Sequence, residues 1–263
     1  MASRRVTVTW GYDFAMTLTL PLVIVAMTAS IVFFAFVIFG LTGFGSSITA
    51  MPFLALLFPL HFAVPFMLLL DLTAALLICV QHNSAVDRVE FLRFIPSTLA
   101  GVAIGLTLFV YAPVHALQLG LGIYVLASAV RGLFFPARNL KPIAVGWSGP
   151  MGVAGGTFTA LFGTGGPFYA AYLTSRLKEK ASLRATMSAL VALNGITRLV
   201  ILFTSGFYGQ KNLLLLAGIM LPCALVGLYV GSHLHWRLSS KQIIQIVWSV
   251  LAFGGACLIW RNI

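Results

Sequence analysis

From residue 14 to residue 70 the chain carries no Asp, Glu, Lys or Arg, and four further uncharged stretches follow at 94–130, 142–175, 212–236 and 242–260. A hydrocarbon core of roughly 30 Å takes about 20 helical residues at about 1.5 Å each, so the first stretch alone is long enough for more than two crossings. Of 263 residues, 60% are hydrophobic and 8% charged, with five acidic residues in all. That is too little charge to cover a water-soluble surface, which excludes a soluble enzyme. Backbone polar groups in lipid must be satisfied within the chain, which leaves a helical bundle or a closed barrel. Long apolar runs without strict alternation select the bundle. The expected class is an all-α polytopic membrane protein.

A net charge of +11 raises nucleic acid as a partner, but the basic residues sit in short loops between spans, where the positive-inside rule places them. No nucleic-acid partner is expected. Cys79, Cys223 and Cys257 lie inside apolar spans with no CxxC and no histidine at ligand spacing, so they read as packing residues, and no metal or cofactor is implied. The chain begins MASRR, passes through VTVTWGYDF, and is apolar from Phe14 past Phe39. This run is longer than the roughly 7 to 15 apolar residues of a cleaved signal, so the first helix is expected to stay.

Proline, glycine and charge divide the chain into spans near 17–39, 43–58, 62–80, 94–111, 116–135, 143–173 (interrupted), 185–205, 212–233 and 242–260. Seven to nine crossings follow, depending on how the interrupted segments behave. Glycine-rich sequence around Gly40–Pro52 and Gly152–Pro167 predicts broken helices or re-entrant hairpins. The chain also repeats itself at about 120 to 126 residues: Gly43-Phe44-Gly45-Ser46 aligns with Gly163-Thr164-Gly165-Gly166, and Pro96-x4-Gly101-x3-Gly105 with Pro222-x4-Gly227-x3-Gly231. The expected units are residues 1–138, an N-terminal repeat with its leading segment, and 139–263, a C-terminal repeat. Basic residues fall at 81–93 and 131–141 in the first half but at 176–184 and 234–241 in the second. Corresponding loops then lie on opposite sides, which predicts two inverted-topology repeats.

Breaks in membrane helices free backbone N–H groups at half-helix N-termini, where the positive end of the dipole attracts anions. Gly43, Phe44, Gly45, Ser46 and Ser47 form one candidate anion cradle, and Gly163, Thr164, Gly165 and Gly166 the other. The isolated pairs Gly101/Gly105 and Gly227/Gly231 read as close helix packing. Asp71 and Arg198 lie deep inside spans, where each costs about 2.5 to 3.5 kcal/mol without a partner or wet cavity. Aligning LLLDLTAALL with LVALNGITRLV sets Asp71 opposite Asn194, and Asn194 and Arg198 share a helical face. A guanidinium beside a carboxamide suits an oxyanion. Asp71 is read as an ion-pair partner for Arg198 or as a carrier of a coupling proton. His61, His82, His115, His233 and His235 fall at span ends or loops, with His82-Asn83 a lesser candidate for a vestibule. No HExxH, GxSxG or Walker loop occurs, so no enzyme is expected.

FGLTGFGSSITAMP at 39–52 and GVAGGTFTALFGTGGPFYAAYL at 152–173 resemble the sulfite exporter TauE/SafE family of small membrane carriers built from two related halves. The resemblance runs over roughly residues 20–260. It implies secondary transport of sulfur-containing oxyanions, sulfite or an organosulfonate such as sulfoacetate, by a multi-pass protein of the inner or plasma membrane without a cofactor. The residues themselves point only to a small oxyanion near two glycine breaks. Expected partners are the anionic substrate and the lipid bilayer, with a homodimer left open. A passive anion channel and a permease for another small organic anion are the alternative readings.

Overall fold

Glycine and proline, rather than charge, punctuate the chain in space. The computed structural model describes residues 22–81, 85–134, 143–209, 211–234, 249 and 251–260. Residues 1–21, His82, Asn83, Arg138, Lys141, His235, Arg237 and Lys241 lie outside that set. The described residues form α1 (Leu22–Thr42), α2 (Ser46–Leu57), α3 (Leu60–Gln81), α4 (Arg88–Tyr111), α5 (Val114–Phe134), α6 (Ser148–Phe162), α7 (Gly166–Arg176), α8 (Lys180–Thr204) and α9 (Lys211–Leu234), followed by α10 (Leu251–Trp260). No strand occurs among them, and large apolar side chains such as Phe34, Val80, Phe203 and Trp260 point outward, as lipid-facing residues do.

Among the described residues six helices, α1, α3, α4, α5, α8 and α9, are long and apolar enough to cross a membrane. The expected seven to nine also counted 43–58, 143–173 and 242–260. In the structure α2, α6 and α7 are 12, 15 and 11 residues long, short of the roughly 20 a straight crossing needs, and of the expected span 242–260 only 249 and 251–260 are among the described residues. The shortness of α2, α6 and α7 follows from the breaks. Gly43, Gly45 and Gly163 have φ of 80°, 96° and 74°, a left-handed conformation that ends a helix and that glycine alone adopts routinely.

The packing repeats. A Cβ on Gly101 of α4 would lie 2.2 Å from the Val153 carbonyl oxygen, and one on Gly105 2.5 Å from that of Thr157. On α9 a Cβ on Gly227 would lie 2.5 Å from the Phe33 carbonyl oxygen, and one on Gly231 2.1 Å from that of Val37. Thus α4 runs parallel to α6 and α9 parallel to α1, backbone against backbone, as the isolated glycine pairs predicted. Between these pairs α3 and α8 pack against each other at the centre.

The bundle has two unlike ends. At one, the His61 ring at the start of α3 lies 4.9 Å from Phe109 and 6.1 Å from Phe207. At the other, Glu90 accepts from Arg93 and Arg176, 2.7 Å each, and the Asp87 N–H donates to Thr186 Oγ1 at 3.0 Å. The described Arg88, Arg93, Arg176, Lys178 and Arg184 belong to this second end, while the first holds Lys211 at the start of α9. The three cysteines are free, and Cys223 donates to the Ala29 carbonyl at 3.2 Å.

Candidate anion site at the paired helix breaks

Both short helices begin without a side-chain cap, α2 behind Gly45 and α7 behind Gly165. First-turn amides have no carbonyl of their own helix to bond. The two starts meet inside the bundle. A Cβ on Gly163 would stand 2.5 Å from Ser47 Oγ, and one on Gly166 2.5 Å from the Phe44 ring. Arg198 reaches the same place from α8, its Nη1 3.9 Å from that Gly163 Cβ position. Its side chain is 3% exposed, and its Nε and Nη2 find no partner among the described residues.

Asp71 faces the start of α2. Ser46 Oγ donates to its Oδ1 at 2.6 Å and Ser47 Oγ to its Oδ2. Asp71 and Arg198 act on each other electrostatically, yet no contact ion pair joins them among the described residues. The serine hydroxyls thus satisfy the carboxylate, and Nε and Nη2 of Arg198 are left without a partner among the described residues.

A narrow hollow lies between the breaks, with about 20 Å³ open to the centre of a water molecule, room for about one water. Phe44, Gly45, Ser46, Asp71, Gly163, Thr164, Gly166 and Arg198 line it. Four expected site residues stand behind it. Gly43 is wedged against Arg184 and accepts from Ser188 Oγ at 3.2 Å. Ser47 turns to Asp71. A Cβ on Gly165 would come 2.0 Å from the Gly155 carbonyl oxygen. Asn194, fully buried, donates from Nδ2 to Tyr169 Oη at 3.1 Å and to the Leu190 carbonyl at 2.8 Å.

The amides expected at each break are only partly free. Gly163 N–H bonds the Thr159 carbonyl at 2.7 Å and Thr164 N–H that of Phe158 at 3.3 Å, closing α6. Gly43 N–H likewise closes α1 on Phe39. The first-turn amides of α2 remain, whereas in α7 Pro167 has no N–H and the Phe168 N–H bonds the Gly165 carbonyl at 3.1 Å, which leaves that of Gly166. Sequence reasoning also missed lining residues. Val191 and Gly195 lie on the face of α8 that carries the predicted Arg198, seven and three residues before it, and Thr159 sits one turn before Gly163; this periodicity could have found all three. Tyr124, whose hydroxyl donates to the Thr164 carbonyl at 2.6 Å and whose ring stacks on Phe168, carries no such signal.

The family model for the sulfite exporter TauE/SafE matches residues 28–258. The chain belongs to that family. Comparison with curated proteins and with solved structures gave no match. As a TauE/SafE member with six helices fit to cross a bilayer among the described residues, it is a multi-pass membrane protein of a transporter family, and both breaks and Arg198 fall inside the matched segment.

Proposed function

We propose that the protein is a secondary transporter carrying small sulfur-containing oxyanions, sulfite or an organosulfonate such as sulfoacetate, across the inner or plasma membrane by alternating access. The observation that carries this reading is Arg198, a buried guanidinium with two nitrogens unpartnered among the described residues, beside two helix starts without a side-chain cap. An arginine costs about 2.5 to 3.5 kcal/mol in mid-membrane, and an oxyanion taking two parallel hydrogen bonds offsets that cost. Thr164 Oγ1 and the Gly166 N–H at the start of α7 complete the donor set. Asp71 is given the role of counter-ion rather than proton carrier, because hydroxyls already hold both its oxygens.

The two halves, 1–138 and 139–263, are read as inverted repeats. The α2–α3 connection and its counterpart between α7 and α8 belong to opposite ends of the bundle, and the reciprocal packing of α4 on α6 and α9 on α1 is what such a pair generates. The hollow is too small for sulfite as it stands, so admission requires the breaks to part, which rocking of one half against the other supplies. The test is a binding screen of purified protein against sulfite, sulfate, thiosulfate, sulfoacetate and simple carboxylates. Sulfur oxyanions are expected to bind the native protein and to lose binding in Arg198→Gln; normal affinity in that variant removes Arg198 from the site.

A further inference from the structure

The two breaks are built alike but charged differently. At the first, the start of α2 faces its own built-in anion, Asp71, with one serine hydroxyl on each carboxylate oxygen; acceptance at both oxygens suits the ionised form. In the repeat, Gly166 and Pro167 stand where Ser46 and Ser47 stand, and Asn194 stands where Asp71 does. The start of α7 therefore has neither the hydroxyls nor the carboxylate, and Asn194 is turned away to Tyr169 and Leu190. Positive charge is distributed the other way, since Arg198 corresponds to Ala75 in α3. Beside the start of α7 lie two nearly fully buried side chains that line the hollow, Arg198 and Thr164. The Nε and Nη2 of the first and the Oγ1 of the second are unpartnered among the described residues.

The charges sum simply. Each helix start contributes about half a positive charge, Arg198 adds one and Asp71 removes one, which leaves roughly one positive charge for a guest. Resting on the transport reading above, we propose that the anionic group of the cargo docks at the start of α7 against Arg198 and Thr164, as the Asp71 carboxylate docks at the start of α2, and that the site is charge-matched to a monoanion. A second negative charge enters unmatched, in an enclosed site where Coulomb repulsion is poorly screened. The match ranks hydrogensulfite and monosulfonates above sulfite dianion, sulfate and sulfoacetate.

Methanesulfonate and sulfate separate the possibilities, being close in size and differing by one charge. Titrated calorimetrically into the purified full chain, methanesulfonate is expected to bind the native protein at least about tenfold more tightly than sulfate. Asp71→Asn, which raises the site's charge by one, is expected to bring that ratio to about unity or to invert it. Sulfate binding the native protein as tightly as methanesulfonate, or the variant keeping the native ratio, overturns the charge match and leaves the transport reading standing. The comparison within the native protein holds whether or not the variant folds. Absence of binding by methanesulfonate, sulfate, sulfite and sulfoacetate alike overturns the transport reading itself.

Discussion

In the proposed site Arg198 and Asp71 carry most of the chemistry, and both were legible because an isolated charge in an apolar span has to be answered by something. What answers each was not. Asp71 is met by Ser46 and Ser47 rather than by Arg198, and that choice depends on how α2 leans on α3, which no spacing along the chain encodes. A site built for a guest carries groups that the protein alone leaves unsatisfied. Arg198→Gln should therefore lose anion binding while its unfolding temperature in detergent stays level or rises, since a buried charge without a partner is removed; a marked fall would make Arg198 a structural residue. Gly45 tests the backbone instead. A Cβ there would meet nothing closer than 3.6 Å, from Ile38, but φ is 96°. Gly45→Ala should cost roughly 1 to 2 kcal/mol through left-handed strain alone, read as a lowered unfolding midpoint.

At the level of helices, boundaries set by glycine and proline were readable to within a few residues, and both predicted interruptions fall at Gly43–Gly45 and Gly163–Gly165. The use made of each amide was not readable, because an N–H beside a break either closes the helix before it or stays free for the one after, and only the turn geometry decides. Gly163 and Thr164 close α6. Packing glycines give a sharper contrast. Gly101→Ala would drive a methyl into the Val153 carbonyl, whereas a Cβ on Gly218 of α9 meets nothing within 4 Å. Gly101→Ala should part α4 from α6 and lower thermal stability by several degrees. Gly218→Ala should leave stability unchanged or raise it by up to about 1 kcal/mol through helix propensity. Equal thermal shifts for the two would mean that α4 and α6 do not depend on that close approach.

Over the whole molecule, close glycine contacts recur at the spacings that the proposed repeat would set. The offset that carries Gly101 to Gly227 and Gly105 to Gly231 accompanies one that carries Val153 and Thr157 back to Phe33 and Val37. The tips of the two broken segments touch, Ser47 against Gly163 and Phe44 against Gly166, so in the proposed mechanism a relative motion of the two halves would open or close the site between them. The proposed carrier would hold one guest and expose it by turns. Counterflow reads that behaviour directly: proteoliposomes preloaded with unlabelled sulfite are diluted into a trace of labelled sulfite, and uptake is followed. The account predicts uptake that saturates with external sulfite, is accelerated by sulfite inside and is lost in Arg198→Gln. Uptake that rises without limit and ignores internal sulfite, or no uptake at all, would contradict it.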